Sequence, residues 1–87
     1  MYQLQFLEPA QRALKSFDRS ISLRILRKVN WLAQNAEATQ EEGLHGDLAG
    51  DCKLREGDYR IIYQIDRKEK LIIVKVIGHR SEVYNRR

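Results

Sequence analysis

Three cations lie along two adjacent apolar segments in the last third of this 87-residue chain. Lys53 and Arg55 are two residues apart, and Arg60 follows just after Gly57-Asp58, a turn signal. Successive side chains of a β-strand point to opposite faces of its sheet. Lys53 and Arg55 are therefore predicted to share one face, whereas the apolar residues beside them take the other. Cations gathered on one face of a sheet are suited to binding phosphate, which makes nucleic acid the first candidate ligand.

Fixed cations around a phosphate can also promote its transfer. When the ribose 2′-OH of RNA attacks the adjacent phosphate, negative charge gathers on the non-bridging oxygens, and the products are a 2′,3′-cyclic phosphate and a 5′-OH end. Each well-placed cation stabilises that charge by on the order of several kcal/mol. Arg55 and Arg60 suit this role because a planar guanidinium can engage two phosphate oxygens. The two histidines and one cysteine show no metal-ligand spacing, so neither a metal nor another cofactor is expected.

Length and composition indicate a single domain over residues 1–87. Hydrophobic residues make up 43% of the chain, which is enough for a globular core. No apolar run approaches the ~20 residues needed to span a bilayer, and the N-terminus lacks the pattern of a signal peptide. Cys52 is the single cysteine and is expected to pack as a small hydrophobe. These features predict a cytoplasmic protein that is not in a membrane.

The net charge of +4 conceals a strong alternation along the chain. Residues 1–35 carry a balance of +4, residues 36–52 one of −5, and residues 53–87 one of +5. The sequence pI near 9.5 is typical of a small nucleic-acid-binding domain. A solvated basic surface gives the same composition, so composition alone leaves both interpretations open.

Hydrophobic periodicity predicts the order strand, helix, helix and three strands. Alternation marks residues 2–6, and apolar residues recur at helical spacing through the next thirty residues, which favours a helix hairpin. Residues 39–50 hold three glycines and three acids without periodicity and are predicted to be a loop. The remaining strands are predicted at 51–56, 59–65 and 71–77, and Gly78 is expected to end the last one. The fold class is therefore α+β, with a single four-stranded sheet.

The second predicted helix is amphipathic. Its apolar stripe leaves Arg24, Arg27 and Lys28 largely on the outer face. Trp31 lies beside the stripe, and a packing role is favoured over that of a platform for RNA. The predicted core comprises Ile25, Val29, Leu32, Ile61, Tyr63, Ile72, Val74 and Val76.

Two segments together resemble the RelE family of toxins, in the RelE/ParE superfamily of toxin–antitoxin pairs. They are the hairpin Gly57-Asp58-Tyr59-Arg60 and the ending Gly78-His79-Arg80 with Val83-Tyr84. The resemblance covers nearly the whole chain and implies a RelE-like sandwich. It further implies a metal-independent endoribonuclease that cuts mRNA in the ribosomal A site and inhibits translation. Its implied partner is a RelB-like antitoxin, itself DNA-binding, that neutralises the toxin.

The resemblance also implies which residues act. Lys53, Arg55 and Arg60 match basic residues of the family's hairpin strands, although the family often has lysine where Arg55 stands. Arg80 matches the arginine that follows the last strand, and Tyr84 matches a C-terminal tyrosine that stacks on a base.

Further residues are assigned auxiliary roles. His79 or Arg80 is expected to protonate the leaving 5′-oxygen and Lys53 to act as base, with the choice of acid and base left open. The residues expected to contact RNA or the ribosome are Arg24, Arg27, Lys28 and Lys75.

Alternatives remain open for each assignment. Lys53 and Arg55 also fit the solvated face of a half-exposed strand. Arg60 also fits a surface ion pair with Asp58 or Asp51. For the whole chain, the alternatives are a ParE-like toxin that poisons DNA gyrase, a branch that lacks the basic cluster, and a non-catalytic RNA-binding module.

Overall fold

Five strands and three helices make up the fold in the computed structural model, which describes residues 1–38, 42–43 and 51–83. The elements are β1 (Gln3–Phe6), α1 (Glu8–Ser16), α2 (Arg19–Asn35), β2 (Glu42–Gly43), β3 (Cys52–Glu56), β4 (Tyr59–Asp66), β5 (Leu71–His79) and α3 (Arg80–Val83). The strands form one sheet in the order β1-β5-β4-β3-β2. β1 runs parallel to β5, and the other neighbouring strands pair antiparallel.

The predicted α+β architecture is confirmed, with two differences in the sheet. The two-residue strand β2 lies inside the predicted loop 39–50 and adds a fifth, edge strand beside β3; the rest of that loop lies outside the described residues. The prediction that Gly78 ends the last strand is wrong. Gly78 pairs with Arg60 and the ladder continues to His79. The backbone pairing with β4 outweighs the weak strand preference of glycine.

The first two helices begin where the sequence favours it. α1 starts at Glu8 with Pro9 in its first turn, where the missing N–H costs no helical hydrogen bond and the carboxylate faces the positive helix end. α2 follows after two residues, and the carbonyl of Asp18 accepts its first backbone hydrogen bond, from Ser22, at 3.0 Å. The Ser22 hydroxyl also donates to the carbonyl of Leu14 at 2.6 Å, which ties the two helices together. Among the described residues, no helix combines the length and apolarity needed to cross a membrane.

The core lies between these helices and one face of the sheet. Seven of the eight predicted core residues are buried there, and Tyr2, Ala10, Ala33, Ala36, Cys52 and Ile77 complete the cluster. Each fully buried large aliphatic side chain stabilises the fold by about 1.5–3 kcal/mol.

Val76 is the exception, because β5 contains a β-bulge. Ile62 pairs with Val76 whereas the next residue, Tyr63, pairs with Val74, so Lys75 is an extra residue on β5. The bulge shifts the alternation by one residue. As a result Ile77 enters the core, at 5% exposure, and Val76 lies on the opposite face. The prediction that Val76 is a core residue is therefore wrong.

Trp31 also departs from its predicted packing role. Its side chain is 45% exposed and does not belong to the core cluster. The helical periodicity places it off the stripe formed by Ile25, Val29 and Leu32, and no other described element covers it.

Candidate functional site

Two arginines lie directly opposite each other on the hairpin formed by β3 and β4. The register pairs Arg55 with Arg60 and Lys53 with Ile62, on the face of the sheet opposite α1 and α2 (the uncovered face). This confirms the predicted sharing of one face, since Cys52 joins the core on the other. Like charges at directly opposed positions destabilise a sheet. The two opposed charges of this pair therefore work against folding.

Arg60 is the buried member of this pair, at 7% exposure. Its Nη1 donates to the carbonyl oxygens of Gly57 and Tyr59, both at 2.9 Å. Among the described residues it pairs with no carboxylate, so the alternative of an ion pair with Asp58 or Asp51 is not what the structure contains. A buried charge met only by neutral carbonyls is costly unless an anion completes its surroundings. Phosphate is an anion of the required geometry for guanidinium.

The turn that Arg60 holds has a specific backbone shape. Gly57 adopts φ of +60°, and Asp58 does not have a positive φ, as in a type II′ hairpin turn. The positive φ calls for glycine, whereas a Cβ at Gly57 would stand 2.7 Å from Nη2 at the flexible end of Arg24, which could move aside.

Arg80 is anchored to the same turn. Its backbone N–H donates to the carbonyl of Asp58 at 2.8 Å, which brings the start of α3 beside the hairpin that carries Arg55 and Arg60. Val83, 3% exposed, closes over Gly78, where an added Cβ would meet its Cγ2 at 3.0 Å. Tyr84, the predicted stacking residue, lies outside the described residues.

His79 is oriented differently from the predicted catalytic cations. It pairs with Tyr59 in the register and its ring meets the Tyr59 ring edge-on at 5.8 Å, on the helix-bearing face. Its Nδ1 lies 2.9 Å from the Ser81 hydroxyl. The structure therefore does not bring the His79 ring to the face that carries Lys53, Arg55 and Arg60.

Lys75 forms a network on the uncovered face that the sequence did not predict. Its Nζ lies 3.1 Å and 3.2 Å from the two carboxylate oxygens of Asp51, which is 5% exposed, and Gln64 donates to the same carboxylate at 2.9 Å. Asp51 alternates with Lys53 along the chain, so its face was predictable. Its pairing with Lys75, 24 residues away, could not be predicted from the sequence. The predicted role of Lys75 in RNA binding stays a prediction, with Asp51 offsetting its charge.

Comparison with known proteins places this geometry in a family. Residues 4–84 match the family model described as "ParE toxin of type II toxin-antitoxin system, parDE". A putative RelE-like toxin protein from Escherichia coli is 30% identical over 89 aligned positions, covering 97% of this chain and 90% of the relative. The chain belongs to the RelE/ParE family of type II toxins. The toxin RelG of Mycobacterium tuberculosis is 35% identical over 43 residues, about half of each chain.

Solved structures agree with the toxin's fold. The toxin–antitoxin complex RelBE2 from Mycobacterium tuberculosis contains a chain that matches with a TM-score of 0.79 at 24% identity, covering 90% of this toxin and 96% of that chain. The isolated RelE toxin of Escherichia coli matches with a TM-score of 0.74 at 23% identity, covering 97% and 92%. At this level of identity, the likeness shows a shared fold.

The outer face of α2 carries a second group of cations in the toxin. Arg24 is half exposed and pairs with Glu56 at 3.3 Å. The Lys28 ammonium lies over the Trp31 ring, 4.8 Å from its centroid. These residues and Arg27 line a groove of about 300 Å³. The predicted outward position of the three cations on α2 is confirmed, and their contact with RNA stays a prediction.

A larger cleft of about 400 Å³ lies elsewhere on the toxin, between α1 and the second half of β5. Its described lining includes Arg12 and Glu82 but none of Lys53, Arg55 or Arg60. The opposed arginines lie on the sheet face and not in this cleft, so that basic face is the candidate site. Several cations along a sheet suit a polymer such as RNA.

Proposed function

We propose that this toxin is a ribosome-dependent endoribonuclease that cleaves mRNA in the ribosomal A site and thereby stops translation. The observation that carries the proposal is the opposed pair Arg55 and Arg60. A buried guanidinium that has no carboxylate partner in the described part of the chain and stands opposite a second arginine is an unfavourable arrangement for folding alone. The negative charge of a phosphate undergoing transfer would compensate it.

The proposed mechanism uses the 2′-OH of the message as nucleophile. Arg55 and Arg60 hold the non-bridging oxygens of the scissile phosphate, and Lys53, two residues from Arg55 on the same face, adds a third cation. Arg80, tied to the hairpin turn through Asp58, reaches the leaving 5′-oxygen. As the 2′-oxygen bonds to phosphorus, the 2′-OH gives up its proton to a general base. The bond between phosphorus and the 5′-oxygen breaks as that oxygen takes a proton, which Arg80 is proposed to donate, and the products are a 2′,3′-cyclic phosphate and a 5′-OH end. Tyr84 is proposed to stack on a base and to hold the RNA in line.

Purified ribosomes programmed with a defined mRNA test this function. Added toxin should cut the message at the A site, and end analysis should find the cyclic phosphate and the 5′-OH. Arg80→Ala should slow the single-turnover rate by about a hundred- to a thousand-fold with little loss of ribosome affinity. Arg12→Ala is the matched control, because Arg12 is an exposed arginine whose one ion pair within the described residues is with Glu8, at 2.9 Å. Uncut message on saturated ribosomes would refute the proposal.

We also propose a cognate antitoxin as the toxin's partner. Among the matching structures are RelB–RelE complexes from Escherichia coli and Pyrococcus horikoshii. The basic balance of the two flanks of this chain favours an acidic antitoxin whose disordered segment folds as it binds. Co-expression of the adjacent gene should relieve growth arrest, and the two proteins should co-purify. A toxin that is harmless alone and purifies without a partner would contradict this.

Poisoning of DNA gyrase is the second candidate function. It is favoured by one observation, the description of the matching family model as a ParE toxin. The basic face argues for the nuclease, because a gyrase poison has no need of opposed arginines at a phosphate. The two functions separate in one experiment, since a gyrase poison yields double-strand DNA breaks with intact message, and the nuclease yields cut message with intact DNA.

A further inference from the structure

The outer face of α2 is unusual in its charge. Over Arg19–Asn35 the helix carries four cations and no aspartate or glutamate. Solvated helix surfaces usually mix both signs, because pairs three or four residues apart stabilise the helix. Glu56 of β3 offsets the charge of Arg24, at 3.3 Å, but the remaining cations of this face repel one another and gain when an anionic ligand covers them.

Trp31 is exposed in the middle of these charges. It is the single tryptophan of the chain, and 45% of its surface is accessible. Arg27 lies four residues before it and Lys28 three, which are the spacings at which helical side chains are neighbours. The Lys28 ammonium lies over the ring, and the described part of the chain offers neither Arg27 nor Lys28 a carboxylate partner. The exposed indole of Trp31 thus lies beside two cations that no carboxylate of the described residues neutralises.

The groove around Trp31 adjoins the candidate catalytic face. Arg24 lines the groove, and its Nη2 lies against Gly57, while the Gly57 carbonyl accepts a hydrogen bond from Arg60. The β3–β4 turn thus separates the groove on one side from the opposed arginines on the other. A nucleic-acid strand that passes this turn can reach both surfaces.

We propose that this groove binds one unpaired nucleotide of RNA, with the base stacked on Trp31 and its phosphate held by Arg27 and Lys28. The inference rests on the proposed function only in taking RNA as the toxin's target. Base stacking on aromatic side chains beside a cationic track is how single-stranded RNA is bound without sequence preference. A protein partner fits less well. The groove is lined by four charged side chains and one aromatic, whereas the centres of protein interfaces are depleted of charge.

The fluorescence of Trp31 provides a direct test, because no other tryptophan contributes. The probe is a short oligoribonucleotide with 2′-O-methyl groups, which cannot be cleaved because the nucleophile is blocked. Its addition should quench Trp31 emission in a saturable and salt-dependent manner. For single strands, the logarithm of the binding constant falls with the logarithm of salt by about 0.7 per contacted phosphate.

Variants distinguish stacking from simple charge attraction, with binding followed by the anisotropy of a labelled probe. Trp31→Leu should weaken binding by about 5- to 150-fold, and Trp31→Phe by less, because a smaller ring still stacks. Arg27→Ala should reduce the salt slope by about 0.7. Leu23→Ala is the matched control, because Leu23 is a 40% exposed apolar residue of the same helix that does not line the groove.

Three outcomes decide the matter. Unchanged emission on binding, or equal affinity of Trp31→Leu and the parent toxin, overturns the proposal. Groove variants that keep RNA affinity but no longer co-purify with the antitoxin also overturn it and assign the groove to a protein. Failure of the nuclease function gives a different pattern, in which programmed ribosomes stay uncut while the probe still quenches Trp31, and this leaves the groove assignment supported.

Discussion

Replacing Arg55 with glutamine is expected to make the toxin more stable and far less active. Arg55 is exposed and has no hydrogen-bond or ion-pair partner within residues 1–38, 42–43 and 51–83, so its loss removes no favourable contact there. It does remove a positive charge directly opposite the buried Arg60. The same change takes away one of the cations proposed to stabilise the transferring phosphate.

The size of the gain in stability follows from the geometry. Side chains directly opposite in an antiparallel pair have Cβ atoms about 4.5–5.5 Å apart, and like charges at such positions cost roughly 0.2–1 kcal/mol. Two unit charges about 6 Å apart repel by roughly 0.7 kcal/mol at the dielectric constant of water. We therefore expect Arg55→Gln to raise the free energy of unfolding by about 0.5–1 kcal/mol. For a domain of this size that raises Tm by about 2–8 °C.

Thermal unfolding followed by circular dichroism and single-turnover cleavage on programmed ribosomes measure the two effects. The cleavage rate should fall by about a hundred- to a thousand-fold. High salt should remove most of the stability difference, because it screens exposed charges. A variant that melts at a lower temperature than the parent would show that Arg55 makes a stabilising contact and refute the argument from opposed charges. A stabilised variant that cleaves at the parent rate would refute its catalytic role.

Three more substitutions separate folding from chemistry. Arg60→Ala should lower the free energy of unfolding by about 2 kcal/mol, because the two lost hydrogen bonds to carbonyl oxygens outweigh the relief of repulsion from Arg55, and it should also slow cleavage. Denaturant titration measures the stability and single-turnover kinetics the cleavage rate. An unchanged denaturation midpoint would show that the bonds to Gly57 and Tyr59 do not stabilise the turn. Cys52→Ser should leave growth arrest intact, because the thiol is buried on the helix-bearing face; a folded but harmless variant, judged by circular dichroism and plating, would show that the face or the chemistry is misassigned. Gly57→Ala should lower the free energy of unfolding by about 1–2 kcal/mol, because φ at this position is positive; an equal Tm would show that the turn rearranges freely.

Local alternation was enough to predict the faces of the hairpin. Lys53, Arg55 and Arg60 reach the uncovered face because period two holds over short, unbroken strands. The helices were predictable from a different period, because apolar residues three or four positions apart form one stripe that must be buried against the sheet. Resemblance to a family, and not spacing, supplied the roles of Arg80 and Tyr84.

Features that depend on distant partners or on the shape of a turn were not predictable. The pairing of Lys75 with Asp51 joins β5 to the residue just before β3, 24 positions away. The carbonyl bonds of Arg60 are local, to Gly57 and Tyr59, but they depend on the turn geometry. The exposure of Trp31 reflects the absence of a covering element in the described structure, which a hydrophobicity scale cannot anticipate. The extra residue in β5 has no sequence signal of its own, because valine and isoleucine on both sides fit either face.

The bulge at Lys75 gives β5 one position at which its length can vary without reversing the faces of the flanking residues, at the cost of the ion pair with Asp51. In a strand that lacked Lys75, Val74 and Ile77 would still face the core under the helices, and Val76 would still lie on the opposite face. Deletion of Lys75 would therefore leave every later residue on its present side, including the approach to Arg80. Removal of any residue between Ile77 and His79 would instead reverse the sides of those that follow. Related chains that differ in length by one residue in this strand could thus keep the same site, provided the difference falls at the bulge.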